Sequence, residues 1–172
     1  MGPERGTGTD PLASAVGAVF EGVTFFELAR RAVADTRVKV TFGDLAKRKR
    51  EQLARLEALA GPRAKDAAPR PGFYPIEAVA KVECYVCGFG VETQSMPEVC
   101  PSCGAARYSF EKEIAPTKAW EIAGTSARKS AALFRDLGGR AQGAAKVLLD
   151  ELAREEDGLA SNADEHAAEL RT

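Results

Sequence analysis

The apolar positions of this chain recur in four helical runs. Leu12, Val16, Val19, Val23, Phe26 and Val33 are spaced 4, 3, 4, 3 and 7, with Arg30 at the omitted step. Val38, Phe42, Leu45, Leu56 and Leu59 keep the same rhythm, with Lys49 and Gln52 in the gap. Steps of three and four place side chains on one stripe of a helix. Asp35-Thr36 between the runs supplies an N-cap, and Gly61-Pro62 ends the second helix. The pair reads as an antiparallel hairpin over 12–61. Trp120, Ala123, Ala127, Ser130, Phe134 and Leu137 begin a second hairpin over 115–160. Gly138-Gly139 breaks it, and Ala145, Leu149, Leu152, Glu156 and Leu159 complete it. A polar, glycine-rich segment (1–11) precedes the helices and reads as flexible. A proline-rich linker (62–75) and a segment without helical period (76–114) separate the hairpins, and an acidic tail (161–172) follows.

Neither hairpin can bury its stripe alone. The simplest solution is one four-helix bundle, and the alternative is a homodimer in which each hairpin finds its copy. Charge favours contact between the hairpins: residues 12–60 carry 9 basic and 6 acidic side chains, and residues 150–172 carry 2 and 8. The whole chain is nearly neutral, at −1, which argues against nucleic acid as a general partner. No apolar stretch approaches the ~18 residues of a membrane span, so no membrane partner is expected. The N-terminus lacks the basic start and apolar run of a signal peptide, so the expected location is cytoplasmic.

Only one histidine is present, His166. That closes off triads, HExxH motifs and histidine-based catalytic zinc sites. In its polar, acidic surroundings His166 reads as solvated. The four cysteines all fall in one window, as Cys84-x2-Cys87 and Cys100-x2-Cys103. Two residues between thiolates let both sulfurs of a knuckle face one ion, and two knuckles make a tetrahedral S4 site for zinc or a single iron. Disulfides are not expected in a cytoplasmic chain. Gly88 and Gly104 follow the knuckles where the backbone must turn tightly. Tyr85, Phe89 and Phe110 are placed to cover the site.

The string Val82-Glu83-Cys84-Tyr85-Val86-Cys87-Gly88-Phe89, with Met96-Pro97-Glu98-Val99-Cys100-Pro101-Ser102-Cys103-Gly104-Ala105 and Phe110, resembles the rubredoxin-like domain of the rubrerythrin family. The resemblance covers about residues 80–113. It implies that Cys84, Cys87, Cys100 and Cys103 bind one iron that cycles between ferric and ferrous states, with a redox protein as partner. The helices are similar to the same family at the level of pattern, in Thr24-Phe25-Phe26-Glu27-Leu28-Ala29, Phe42–Gln52 and Leu149–Leu159. The implied fold class is mainly α: a ferritin-like four-helix bundle of two hairpins with an inserted rubredoxin-like β module. The module lies where the long crossover of such a bundle would run, and not before or after the bundle as is usual in the family.

Ferritin-like di-iron proteins supply a Glu from one helix and Glu-x-x-His from the next in each half. The matching positions here are Val19, Lys49, Gln52, Ala127, Glu156 and Leu159, and only Glu156 is a carboxylate. The resemblance therefore implies no di-iron site and an electron carrier rather than a peroxidase. Lys49 and Glu156 would meet across the bundle, so a buried ion pair is expected in place of the metals, with Gln52 bonded to one of them; the alternative is that both side chains snorkel to solvent. Two functions follow: one-electron transfer through Fe(Cys)4, or a zinc-ribbon-type structural or interaction module with Zn(Cys)4 and a non-catalytic helical scaffold. The basic run Lys47-Arg48-Lys49-Arg50 reads as a solvated face, with an acidic partner or nucleic acid as the sharper reading. Trp120 reads as core, and the glycines of 138–143 lack the strand and lysine of a phosphate loop.

Overall fold

The computed structural model describes residues 10–62, 74–75, 81–92, 97–110 and 114–172. Of the 1–11 segment expected to be flexible, 1–9 lie outside these residues, as does most of the 62–75 linker; Asp10 and Pro11 instead cap and begin the first helix. Four long helices account for the main body: α1 (Pro11–Ala32), α2 (Thr36–Ala60), α3 (Pro116–Arg140) and α4 (Gly143–Glu169). A short antiparallel ladder, β1 (Lys81–Glu83) with β2 (Gly90–Glu92), lies between α2 and α3 and is followed by a 3-10 turn at Arg107–Phe110. The fold is thus mainly helical with a small β module, as expected.

Local chemistry sets the helix ends. The Asp10 carboxylate accepts from the Leu12 amide at 3.0 Å, and Pro11 occupies the first turn, where its missing N–H costs nothing. The Asp35 carboxylate accepts from the Arg37 and Val38 amides at 2.7 and 3.4 Å and starts α2. The expected break at Gly138-Gly139 falls two residues late, because α3 continues to Arg140. Gly138 serves packing instead: a Cβ there would stand 2.9 Å from the Asp150 Oδ1 of α4. The acidic tail is mostly helix, since Ala160, Ala163 and Ala167 prolong the seam of α4 and are buried.

The bundle closes within one chain. Arg55 of α2 pairs with Glu151 at 3.0 Å and Glu155 at 2.6 Å on α4, and Arg48 donates to the Glu155 carbonyl at 2.9 Å. Two apolar clusters fill the interior. One gathers Phe25, Phe26, Phe42, Ala123 and Leu159; the other gathers Leu12, Val16, Leu56, Phe134 and Leu149. The apolar seam residues lie in them as expected, with three exceptions. Val23 is half-buried and joins neither cluster. Leu59 is 40% exposed and Ala60 is buried in its place. The step from Leu56 lengthens to four because 3.6 residues make a turn. Trp120 is half-buried and stacks on His166 with ring centroids 4.4 Å apart, so the histidine is partly covered rather than fully solvated.

Helix α1 corrects one expectation. By length and composition it is apolar enough to cross a membrane, with mean hydropathy 1.5 in its most apolar window. Alanines between the seam residues raise that value. Some 72% of the window is buried inside the protein, so here α1 is a core helix.

The two apolar clusters are separated by one level of the bundle where α1 carries Gly22. Tyr74, from the end of the linker, fills that space. It stacks on Phe25 at 5.3 Å and meets Phe26 edge-on at 5.8 Å. A Cβ at Gly22 would overlap the Tyr74 hydroxyl and stand 2.8 Å from its Cζ. Alanine exceeds glycine in helix propensity by about 1 kcal/mol. Gly22→Ala is nevertheless expected to destabilise by about 1–3 kcal/mol, the range for overpacking. Urea unfolding of Gly22→Ala, alone and with Tyr74→Leu, checks this. The double variant should recover most of the loss, and a Gly22→Ala that stabilises as propensity alone dictates would refute the contact.

Candidate metal centre

Each knuckle is built by the same three backbone features. In the first, the Gly88 amide donates to the Cys84 carbonyl at 2.8 Å and the Cys84 amide to the Phe89 carbonyl at 2.9 Å. In the second, the Gly104 amide donates to Cys100 at 2.9 Å and the Cys100 amide to Ala105 at 2.7 Å. Gly88 and Gly104 sit at φ 75° and 74°, a region that a side chain would strain. The repeat turns both CxxC loops the same way and aims their sulfurs at one point.

All four Sγ atoms lie within 4.8 Å of one another. Cys84 and Cys103 are 3.8 Å apart, and Cys87 and Cys100 are 3.7 Å apart. A tetrahedron with metal–sulfur bonds of 2.3 Å has edges of about 3.8 Å, so the donors fit a single S4-bound ion. A disulfide needs sulfurs at about 2.05 Å, and all four cysteines are free. Of the groups acting on Cys103, the Ala105 amide is the largest and favours thiolate. Desolvation and the neighbouring sulfurs of Cys87, Cys100 and Cys84 outweigh it and push the thiol up to about 12. The Cys103 sulfur holds its proton unless a cation takes its place.

Burial is uneven. Cys84 and Cys100 are 1% and 3% exposed and pack with Val82 and Phe110, whereas Cys87 and Cys103 are exposed. Phe110 is fully buried and Phe89 packs on the same cluster, as expected of covering residues. Tyr85 does not cover the site: it is 64% exposed, because it stands on the outer turn of the first knuckle. The Tyr85 amide instead donates to the Ser109 carbonyl at 3.0 Å and ties that knuckle to the 3-10 turn.

The second expected site lies in the bundle. Lys49 and Glu156 meet at 2.9 Å (Nζ to Oε1), with side chains 2% and 0% exposed. Gln52 Nε2 donates to the same Oε1 at 2.6 Å, and Lys49 Nζ donates to Gln52 Oε1 and Ser130 Oγ, both at 3.3 Å. The ammonium thus has an acceptor for each of its three protons. Glu156 Oε2 takes no hydrogen bond among the described residues. Burial would pull Lys49 down; the Tyr74 phenol and the Glu156 carboxylate outweigh it, and Lys49 is held above its ordinary value of 10.5. The other positions matched to metal ligands, Val19, Ala127 and Leu159, are buried among apolar neighbours. Among the described residues, the cysteines form the one cluster of His, Cys, Asp or Glu able to hold a metal.

Sequence reasoning placed the four cysteines at one site and the ion pair in the bundle, but missed Ser130 and Tyr74 as companions of the ion pair. Ser130 was visible as a polar residue on the α3 seam. Tyr74 had no period to mark it.

Residues 83–111 match the family model described as the rubrerythrin rubredoxin-like domain. No curated protein and no solved structure gives a significant match to the chain.

Proposed function

From a rubredoxin-like domain of the rubrerythrin family set between two helical hairpins, we propose that this protein is a one-electron carrier. The ion held by Cys84, Cys87, Cys100 and Cys103 would be iron. Iron in an S4 site supplies a ferric–ferrous couple. The protein's own residues do the rest. The paired knuckles hold the sulfurs in one tetrahedral arrangement, which suits both charge states and keeps reorganisation small. The Ala105 amide directed at Cys103 favours negative charge on that sulfur, and hydrogen bonds of this kind tune a potential. Val82 and Phe110 exclude water from the inner side.

The observation that carries this reading is the asymmetry of the site. Two sulfurs are sealed in the module's core and two reach the surface. Electron exchange needs an edge within reach of a partner, and the two exposed ligands supply one. The ion pair of Lys49 with Glu156 occupies the bundle interior, so the acceptor is another molecule.

Protein produced with ample iron and purified without oxygen is expected to be red, with about one iron per chain and visible absorption that bleaches on reduction. A colourless protein that takes up one zinc per chain under the same iron supply overturns the reading and favours a structural zinc module.

A further inference from the structure

The basic run at 47–50 does not act as one face. Lys49 turns inward to Glu156, and Arg48 reaches the Glu155 carbonyl. Lys47 and Arg50 point into a groove of about 600 Å³ formed by α1, α2 and the β module. Arg30, Arg31, Lys39 and Arg107 join them there, and Asp44 is the carboxylate among the described lining residues. Glu27 adds a second negative charge at the margin, paired with Arg30 at 3.7 Å and with Arg50. Lys39 has a partner of its own; among the described residues, the other five cations against two carboxylates leave a local positive surplus in a chain whose formal charge is −1.

The groove is structured. A Cβ at Gly43 would stand 3.2 Å from Arg30 Cδ, so the absence of a side chain lets the Arg30 stem lie on α2. Arg107 opens the 3-10 turn that binds the first knuckle through Ser109 and Tyr85, and its Nε is buried with no hydrogen-bond partner among the described residues. Next to Arg107, Tyr108 is 75% exposed, and on the two knuckles Tyr85, Val86 and Val99 are 57–69% exposed. Exposed apolar side chains thus stand on the knuckles that carry the exposed cysteines, and Tyr108 stands next to the groove residue Arg107 in the chain.

We propose that this groove is the docking surface for an acidic protein, whose carboxylates engage Arg31, Lys47 and Arg107 while its apolar surface covers the knuckles. A carboxylate-rich protein fits better than a small anion, because the cations are spread over two helices and the module rather than converging on one point. It fits better than nucleic acid, because α4 beyond Asp150 is acidic and would repel a long polyanion. The complementary charges would steer encounter and orient the partner with the exposed sulfurs toward it. The docking geometry does not depend on which metal is bound.

The test is fluorescence anisotropy of labelled poly-L-glutamate and of labelled oligothymidylate of equal charge, with the zinc-loaded and the iron-loaded protein. Poly-L-glutamate is expected to bind both forms at low salt. The triple reversal Arg31→Glu, Lys47→Glu, Arg107→Glu is expected to weaken it by about tenfold or more, and added salt should weaken it too. The control reversal Lys129→Glu, Arg140→Glu, Arg154→Glu changes net charge equally and should have little effect. Equal weakening by both reversals, or no binding of poly-L-glutamate, overturns the proposal. Tighter, groove-dependent binding of oligothymidylate also overturns it and assigns the groove to nucleic acid. Circular dichroism of each variant separates loss of binding from loss of fold. The metal content bears only on the electron-transfer reading, so the two proposals can fail separately.

Discussion

Lys49→Met is expected to destabilise the protein by about 3–5 kcal/mol, the cost of leaving one partner of a buried pair uncompensated. Methionine fits the volume and has no trouble in a helix, so neither packing nor propensity predicts such a loss. The loss arises because Glu156 would remain with no exposure, Gln52 as its hydrogen-bond donor, and an oxygen that already lacks a partner among the described residues. Adding Glu156→Leu should recover most of the loss, since a matched apolar pair is often as stable as a buried ion pair. The pH dependence has a definite sign. Lys49 is raised in the folded state, so its contribution is present in full below the ordinary lysine value of 10.5 and fades as pH rises through the higher folded value. Wild-type protein should therefore lose stability on the alkaline side of that value, and the double variant should lack that part of the decline. Chemical denaturation of the three proteins at neutral and alkaline pH decides it. A single variant as stable as wild type would mean that the pair contributes nothing at the centre of the bundle.

That pair was legible because periodicity and chemistry agreed. Lys49, Gln52 and Glu156 occupy seam positions on their helices, and a charge on a seam must find its opposite or leave the core. The cysteines were legible for a stronger reason: a CxxC spacing constrains both backbone and ligand atoms, so little tertiary context is needed. Other features depend on that context. Four successive basic residues look alike in a sequence, yet each turns about 100° from the last along a helix, which sends Lys49 to the core, Arg48 to α4, and Lys47 and Arg50 to the groove. Gly138 looked like a breaker and instead marks where α3 and α4 approach closely. Tyr74 lay in a proline-rich stretch, and only Gly22 opposite it opens the space it fills. Arg107 joins the groove through the fold of the module, at a separation along the chain that no local pattern reveals.

Removal of the metal is expected to unfold the module and leave the bundle standing. The module's own core is small, with Val82, Cys84, Cys100 and Phe110 at its centre and Phe89, Val91 and Ala105 packed around them. Two of the four central residues are ligands, so the core and the metal site are nearly the same object. A bound ion in an S4 site contributes on the order of 10–16 kcal/mol, far more than so few apolar side chains supply. The four long helices instead draw on two separate apolar clusters and the Lys49–Glu156 layer, none of which contains a cysteine. Cys100→Ser, which replaces a buried ligand, should abolish stoichiometric metal binding and erase amide-exchange protection over 81–110. Helical circular dichroism should stay close to wild type. Acidification should release the metal from wild-type protein and leave it in the same state, because protons compete for the thiolates. A Cys100→Ser protein that keeps its exchange protection in the module would show that the fold there does not need the ion. One that also loses its helices would show that the bundle depends on the module, with the Tyr74 contact to α1 the link to examine.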